Sequence, residues 1–89
     1  MAQVFFTPNL QRHVNCPTHE VEGETVRELL DEVFERNEQV RSYIVDEQGA
    51  VRAHMVIFVN GRAINDRENL SDAVPIGAEV YIMQALSGG

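Results

Sequence analysis

Lysine is absent from this 89-residue sequence, whose seven basic residues are all arginine. Cysteine is almost absent, and the single Cys16 excludes an internal disulfide and agrees with a reducing compartment. No apolar run approaches the roughly 20 residues that cross a bilayer, and the first residues lack the basic and apolar stretches of a secretion signal. These absences predict a cytoplasmic protein with no role in a membrane.

Positive charge is scarce as well. Fourteen acidic residues stand against the seven arginines and give a formal net charge of −7. That charge repels phosphate backbones and anionic membranes, so it argues against nucleic acid as a partner and favours a basic protein surface. With 44% hydrophobic residues, the chain has apolar material for a single modest core. We therefore expect one domain over residues 1–84, followed by a flexible tail at residues 85–89.

The clearest local pattern is an amphipathic helix that begins near Thr25. Thr25 and Glu28 have the spacing of a capping box, in which the threonine hydroxyl accepts a hydrogen bond from the backbone N–H three residues on. Apolar residues then recur at i, i+3, i+4, i+7 and i+8, the period of one helix face. They are Val26, Leu29, Leu30, Val33 and Phe34. We expect this apolar face to cover a sheet and the acidic opposite face to lie in solvent.

Strand patterns surround this helix. The expected extended segments are residues 4–7, 13–22, 55–59, 62–64 and 79–83, with residues 43–45 as a short strand or a buried loop. Asn60-Gly61 predicts a tight hairpin turn, and Pro75-Ile76-Gly77 predicts another turn. A hairpin, a helix crossing its face and a return strand describe an α+β fold of the β-grasp type, with one main helix on one face of a mixed sheet. The first and last strands are expected to pair in parallel through a right-handed crossover.

The sequence ends in Leu86-Ser87-Gly88-Gly89, directly after the last expected strand. Glycine has no Cβ, so Gly88 and Gly89 can enter a channel too narrow for any side chain. Fully extended, the five tail residues would reach roughly 17 Å from the folded body. A frayed terminus of small residues has the same appearance in a sequence, and only a suitable folded body favours the functional interpretation.

Four pieces of the chain match one known family. They are the Phe5-Phe6 strand, the helix from Thr25 to Phe34, the run Ile57-Phe58-Val59-Asn60-Gly61-Arg62, and Pro75-Ile76-Gly77-Ala78-Glu79-Val80 ahead of the Gly-Gly end. Together they resemble the ubiquitin-like β-grasp sulfur carriers, the family of the molybdopterin-synthase small subunit and the thiamine sulfur carrier. The resemblance covers essentially the whole chain. The segment from Arg41 to His54 resembles most the branch that includes the cysteine-synthesis carrier.

The resemblance implies a carrier protein rather than an enzyme. In this family a separate ubiquitin-activating-type enzyme uses ATP to adenylate the terminal glycine, here Gly89. Sulfur from a persulfide donor then displaces AMP to leave a thiocarboxylate, and a synthase accepts the sulfur. By the same resemblance Gly88 keeps the tail slim, Leu86 anchors it in a partner pocket, and Ser87 is a spacer. The carrier itself is expected to bind no cofactor and to be monomeric when it is alone.

The missing lysine has two interpretations, which both stay open. A codon-usage bias towards arginine explains it without any function. Alternatively, a carrier with a reactive acyl group at Gly89 has no internal lysine amine to capture that group.

An apolar sheet face beside the tail is the expected docking site for these partners. By the two-residue period of strands, Tyr81 and Met83 point away from the helix, beside Val56 and Phe58 of the neighbouring strand. The sequence does not decide which side chains of the first strand share this face. The alternative is that these residues pack under the segment 38–54.

An enzyme or a metal site has little support in the sequence. His13, Cys16 and His19 are evenly spaced, but no second ligand pair follows them, and Pro17 interrupts any helix that would align them. No metal site is therefore expected. Three functions compete: a sulfur carrier for a biosynthetic pathway, a ubiquitin-like modifier joined to lysines of other proteins, and a β-grasp interaction module with an incidental Gly-Gly end.

Overall fold

The computed structural model describes residues 2–6 and 19–84 of the chain. Within these residues, five strands and two helices follow in the order β1 (Ala2–Phe6), β2 (His19–Val21), α1 (Val26–Arg36), α2 (Glu38–Ile44), β3 (Met55–Val59), β4 (Arg62–Ala63) and β5 (Glu79–Gln84). The strands form one sheet in the order β2-β1-β5-β3-β4. This mixed sheet with its main helix on one face is the α+β β-grasp arrangement that the sequence predicts.

The first and last strands pair in parallel at the centre of the sheet. Val4 lies opposite Val80, and Phe6 lies opposite Ile82. The other three pairings, β1 with β2, β5 with β3 and β3 with β4, are antiparallel. The antiparallel pairing of the first two strands and the parallel pairing of the first and last strands are therefore both confirmed, and the predicted connection between the first two strands lies outside the described residues.

Alternate residues of each strand point towards the helices and away from them. The side chains of Val4, Ile57, Val80 and Ile82 point inward and are fully buried. Ala2 and Phe6 share their face of the sheet and are also buried, so Gln3 and Phe5 point outward. The structure thus shows which side chains of the first strand point outward, a question that the sequence leaves open.

Helix α1 covers the inner face of the sheet. The Thr25 hydroxyl accepts a hydrogen bond from the Glu28 backbone N–H at 3.3 Å, as the capping box predicts. The Glu28 carboxylate accepts in return from the Glu24 N–H at 3.1 Å, one residue before the usual partner. All five predicted face residues are buried, among them Leu29 and Leu30 with 0% exposure.

Helix α2 occupies a stretch for which the sequence predicted a short strand or a buried loop around residues 43–45. Tyr43 and Ile44 instead end a helix, and Val45 forms an isolated bridge with Val51. Val40 and Ile44 lie one helical turn apart and are both buried, so this short helix is held by its contact with the core. The strand alternative was wrong because local propensity does not show where a short apolar segment packs.

The two predicted turns are confirmed. Asn60 and Gly61 both have positive φ angles, 50° and 84°, as a type I′ hairpin turn requires. The Asn60 side-chain oxygen accepts from the Glu79 N–H at 3.0 Å, which ties this turn to the start of β5. Gly77 also has a positive φ, 76°, in the turn that Ala78 N–H closes by donating to the Pro75 carbonyl at 3.1 Å.

Candidate functional site

Strand β5 is the base of the predicted carrier tail. It lies between β1 and β3 and ends at Gln84, which is opposite Met55 of β3. Residue 85 therefore follows a central strand whose last two residues, Met83 and Gln84, pair with β3. The tail residues predicted from the sequence, Leu86, Ser87, Gly88 and Gly89, lie outside the described residues.

The four residues predicted for docking share the outer face of the sheet. Tyr81 lies opposite Phe58 and Met83 lies opposite Val56 in the antiparallel pair of β5 and β3. Tyr81 is 38% exposed, and the other three side chains are partly buried. These residues form a continuous apolar patch on the face opposite α1.

Phe5 extends this patch to a third strand. It lies opposite Tyr81 in the parallel pair, and the two rings stack with centroids 4.8 Å apart and planes inclined by 17°. Phe5, Tyr81 and Phe58 thus form an aromatic row across β1, β5 and β3. Sequence reasoning missed Phe5 because the parity of β1 depends on its pairing with β5. Phe5 is found from the pairing of Val4 with Val80, because this register puts the next two residues, Phe5 and Tyr81, on the same face of the sheet.

We define the docking face as Phe5, Val56, Phe58, Tyr81 and Met83. Its polarity changes along β5. Met83 and Val56 lie at the end nearest residue 85, and the aromatic row lies in the middle. At the far end, Glu79 lies opposite Gln3, whose amide donates to the Glu20 carboxylate at 3.3 Å. The end of the face nearest the tail is therefore apolar, and the opposite end is acidic.

The segment 38–54 lies with the core on the other face. Its buried side chains are Val40, Ile44, Val45 and Val51, and all four belong to the hydrophobic cluster that includes the inward residues of the sheet. Helix α2 also contacts α1, which covers the inner face. These contacts place the segment away from the docking face, and the docking role itself stays a prediction.

The titratable residues in the described part of the chain form no metal centre. No group of three or more His, Cys, Asp or Glu residues there has the arrangement of metal ligands. His54 is exposed in a turn, and His13 and Cys16 lie outside the described residues. The pKa of Asp66 is lowered, first by a hydrogen bond from the Ser71 hydroxyl and next by one from the Asn69 backbone N–H. That carboxylate closes the turn before Leu70 and is a structural cap.

A comparison with protein families decides the identity of this arrangement. The model of the ThiS family matches residues 10–89, which include the whole of strand β5 and the Gly-Gly end. The chain belongs to the ThiS family. The family resemblance predicted from the sequence is thereby confirmed.

Solved structures share the fold of this ThiS-family chain. A chain of the Amycolatopsis orientalis BexX/CysO complex is 24% identical, with a TM-score of 0.83 and 100% of each chain covered. SAMP1 from Haloferax volcanii is 22% identical, with a TM-score of 0.77, and the match covers 99% of this chain and 98% of that one. Mycobacterium tuberculosis CysO is 18% identical, with a TM-score of 0.81 and coverage of 97% and 100%. At these identities the likeness establishes the fold. A search of curated protein sequences gave no significant match.

Family and fold together establish the kind of protein. It is a ubiquitin-like β-grasp protein of the ThiS family, whose small members generally act as carriers. Among the described residues, no helix is both long enough and apolar enough to cross a membrane.

Proposed function

We propose that this ThiS-family chain is a sulfur carrier that works through the carboxylate of Gly89. The observation that carries the proposal is the extent of the family match, which runs through residue 89 and therefore includes Gly88 and Gly89. The parallel pairing of β5 with β1 supports it, because a central strand gives the following residues a rigid base.

The chemistry starts from an unreactive group. An α-carboxyl has a pKa of about 3.3 to 3.7, so the Gly89 carboxylate is an anion at neutral pH and a poor electrophile. A separate adenylating enzyme supplies the activation: a carboxylate oxygen attacks the α-phosphorus of ATP, and pyrophosphate leaves. The carbonyl carbon of the resulting acyl adenylate is then open to a nucleophile.

Sulfur enters in the second step. A persulfide of a donor protein attacks this carbonyl carbon, a C–S bond forms, and the C–O bond to AMP breaks. A partner thiol then cleaves the S–S bond, which leaves the thiocarboxylate on Gly89 and a disulfide on the partner side. A synthase accepts this sulfur in a biosynthetic pathway. The sequence resemblance favours the cysteine-synthesis branch.

The tail and the docking face have separate roles in the proposal. Gly88 passes through the narrow part of the partner channel, Ser87 is a spacer, and Leu86 fills an apolar pocket of the partner. The docking face holds the folded body against the same partner. Its apolar end lies next to residue 85, so contact with this end positions the tail for the adenylating site.

The test is ATP–pyrophosphate exchange with the cognate adenylating enzyme, run beside a melting curve. Deletion of Gly89 and the variant Gly88→Val are each expected to abolish exchange with an unchanged melting temperature, because a glycine-sized channel excludes a β-branched side chain. Ser87→Gly is the matched control in the same tail and should retain exchange. Undiminished exchange by the Gly89 deletion would overturn the carrier proposal and leave the β-grasp interaction module. For the sulfur step, chain isolated from its source should gain the mass difference of one oxygen replaced by one sulfur.

A protein modifier is the second candidate, and one of the structural matches favours it. The Haloferax volcanii match is named a small archaeal modifier protein, and modification needs the same activated glycine, attacked by an amine instead of a persulfide. Arg67 is the last basic residue, so trypsin would leave residues 68–89 on a modified lysine. Cleavage after glutamate leaves the shorter remnant 80–89, because Glu79 is the last glutamate. Foreign lysines that carry this remnant in the source organism would establish the modifier role.

A further inference from the structure

The described arginines divide into two groups by what their side chains contact. Four of them donate hydrogen bonds to backbone carbonyls: Arg27, Arg36, Arg52 and Arg67. The other two, Arg41 and Arg62, are exposed, and neither side chain has a hydrogen bond or ion pair within the described part of the chain. The first group needs arginine for a structural reason, and the second does not.

Arg27 shows the structural use of a guanidinium. Its Nη2 donates to the carbonyls of Gly49 at 3.2 Å and Glu68 at 3.3 Å, and its Nε donates to that of Asn69 at 3.2 Å. This planar fork joins the loop at residue 49 to the loop at residues 68–69. A lysine ammonium has its three donors on one nitrogen and would not span these carbonyls.

Arg41 and Arg62 make no such use of the guanidinium. Arg62 lies on the edge strand β4 and Arg41 lies on the surface of α2. Lysine at either position would carry the same charge and would break no hydrogen bond or ion pair within the described residues. The absence of lysine there has no explanation in hydrogen bonding or charge.

We propose that the chain excludes side-chain amines so that its activated Gly89 does not acylate this chain, either within one molecule or in a second copy. This inference rests on the proposed activation of Gly89. At about pH 8, roughly 0.4% of lysine amines are neutral, against about 0.003% of arginines even at the lower end of their pKa range. An arginine surface is therefore at least about a hundredfold poorer in neutral nucleophile at each site.

The reaction that is avoided is an ordinary aminolysis. The lone pair of a neutral amine attacks the Gly89 carbonyl carbon, a C–N bond forms, and the bond to AMP or to a thiolate breaks as that group leaves with the electron pair. The amine proton passes to buffer. Without ε-amines on the carrier, the N-terminal amine is the one amine of a copy that competes for the acyl group with a partner's sulfur or with an amine of a different protein. On a protein modified by this chain, copies would then not be linked to one another through lysine, since no copy offers a lysine to the next.

The experiment uses the full chain prepared as a C-terminal thioester with 2-mercaptoethanesulfonate and acetylated at its N-terminal amine. The thioester bypasses the adenylating enzyme, so failure of the proposed activation and failure of this inference are distinguishable. The variants Arg62→Lys and Arg41→Lys are compared with Arg62→Gln and Arg41→Gln, which remove the guanidinium and add no amine. All chains are incubated alone near pH 8. Covalent dimers are counted after treatment with excess thiol, which reverses any thioester exchange onto Cys16.

In the natural chain and the glutamine variants, the thioester should hydrolyse before any thiol-resistant dimer forms. Each lysine variant should form dimers at least about tenfold faster, since a hundredfold advantage at one site competes with seven arginines in the natural chain. Cleavage after glutamate should locate residues 80–89 on the new lysine. Thiol-resistant dimers of the natural chain, or lysine variants that dimerise no faster than it does, would overturn the inference and leave codon usage as the explanation.

Discussion

The rings of Phe5 and Tyr81 stack across the parallel pair of strands at the centre of the sheet, with centroids 4.8 Å apart. One ring comes from the first strand and the other from the strand that leads to the tail. Since an offset aromatic pair contributes about 0.5 to 1.5 kcal/mol beyond its buried area, this contact also stabilises the parallel pairing of the two strands. The same two rings are the centre of the docking face, so the proposed docking would use a contact that also stabilises the sheet.

Tyr81→Ala should weaken the carrier's interaction with its adenylating enzyme. The substitution removes the most exposed ring of the docking face, and truncation of a central aromatic anchor costs about 2 kcal/mol or more, or roughly thirtyfold in affinity. The measurement is the KM for the carrier in ATP–pyrophosphate exchange. Tyr43→Ala is the matched control, since Tyr43 is 39% exposed, against 38% for Tyr81, and lies on α2. Equal KM values for the two variants would remove the docking role from this face.

Leu30→Ala should lower the free energy of unfolding by about 2 to 5 kcal/mol, because it leaves a cavity under α1. Leu30 has no exposed surface and belongs to the helix face that covers the sheet. Urea unfolding followed by circular dichroism measures the change. Glu35→Ala on the exposed side of the same helix should stay within about 0.5 kcal/mol of the natural chain. A near-natural stability of Leu30→Ala would contradict the packing of α1 on the sheet.

Gly49→Ala should destabilise the fold more than Gly77→Ala. Both glycines have positive φ angles, 87° and 76°, so alanine costs about 1 to 2 kcal/mol at either position. A Cβ at Gly49 would in addition lie 2.9 Å from Nη1 of Arg27, whereas a Cβ at Gly77 meets no atom within 4 Å. The difference between the two unfolding free energies isolates the steric term. Equal values would show that the Arg27 guanidinium moves aside without loss.

Stability should fall in acid partly through Asp66. The hydrogen bonds from Ser71 and from backbone N–H groups hold the pKa of this carboxyl below its usual range in the folded state. A depressed folded pKa means that the group stabilises the fold above the unfolded pKa, and that this contribution is lost as the pH falls through the folded pKa. Unfolding free energies measured between pH 6 and pH 2 would show the effect.

Asp66→Asn should remove this part of the pH dependence. It should also destabilise the fold at neutral pH. Each carboxylate oxygen of Asp66 now accepts hydrogen bonds, and the amide would replace one oxygen by an NH₂ group that faces hydrogen-bond donors. Asp31→Asn, at an exposed position of α1, is the control. An unchanged acid slope in Asp66→Asn would exclude Asp66 as the cause.

The sequence by itself determined the parts of the fold that depend on near neighbours. Thr25 with Glu28 and the apolar period after them predicted α1, because helix capping and one-face burial are set within a few residues. Asn60-Gly61 predicted its turn because few residue pairs adopt two positive φ angles. The apolar run at residues 55–59 predicted β3 with its bounds. The family was predicted from the order of such segments along the chain.

Only the tertiary structure decided the features that depend on pairing between distant strands. The docking face gained Phe5 because the register with β5 fixes the parity of β1, and a shift by one residue would have buried Phe5 and exposed Val4. Helix α2 formed where the sequence offered a strand or a loop, because the burial of Val40 and Ile44 in the core depends on where this segment packs against distant parts of the chain. The acceptors of Arg27 lie more than 20 residues away in the chain. No local pattern specifies them, since the contact exists only after the loops have come together.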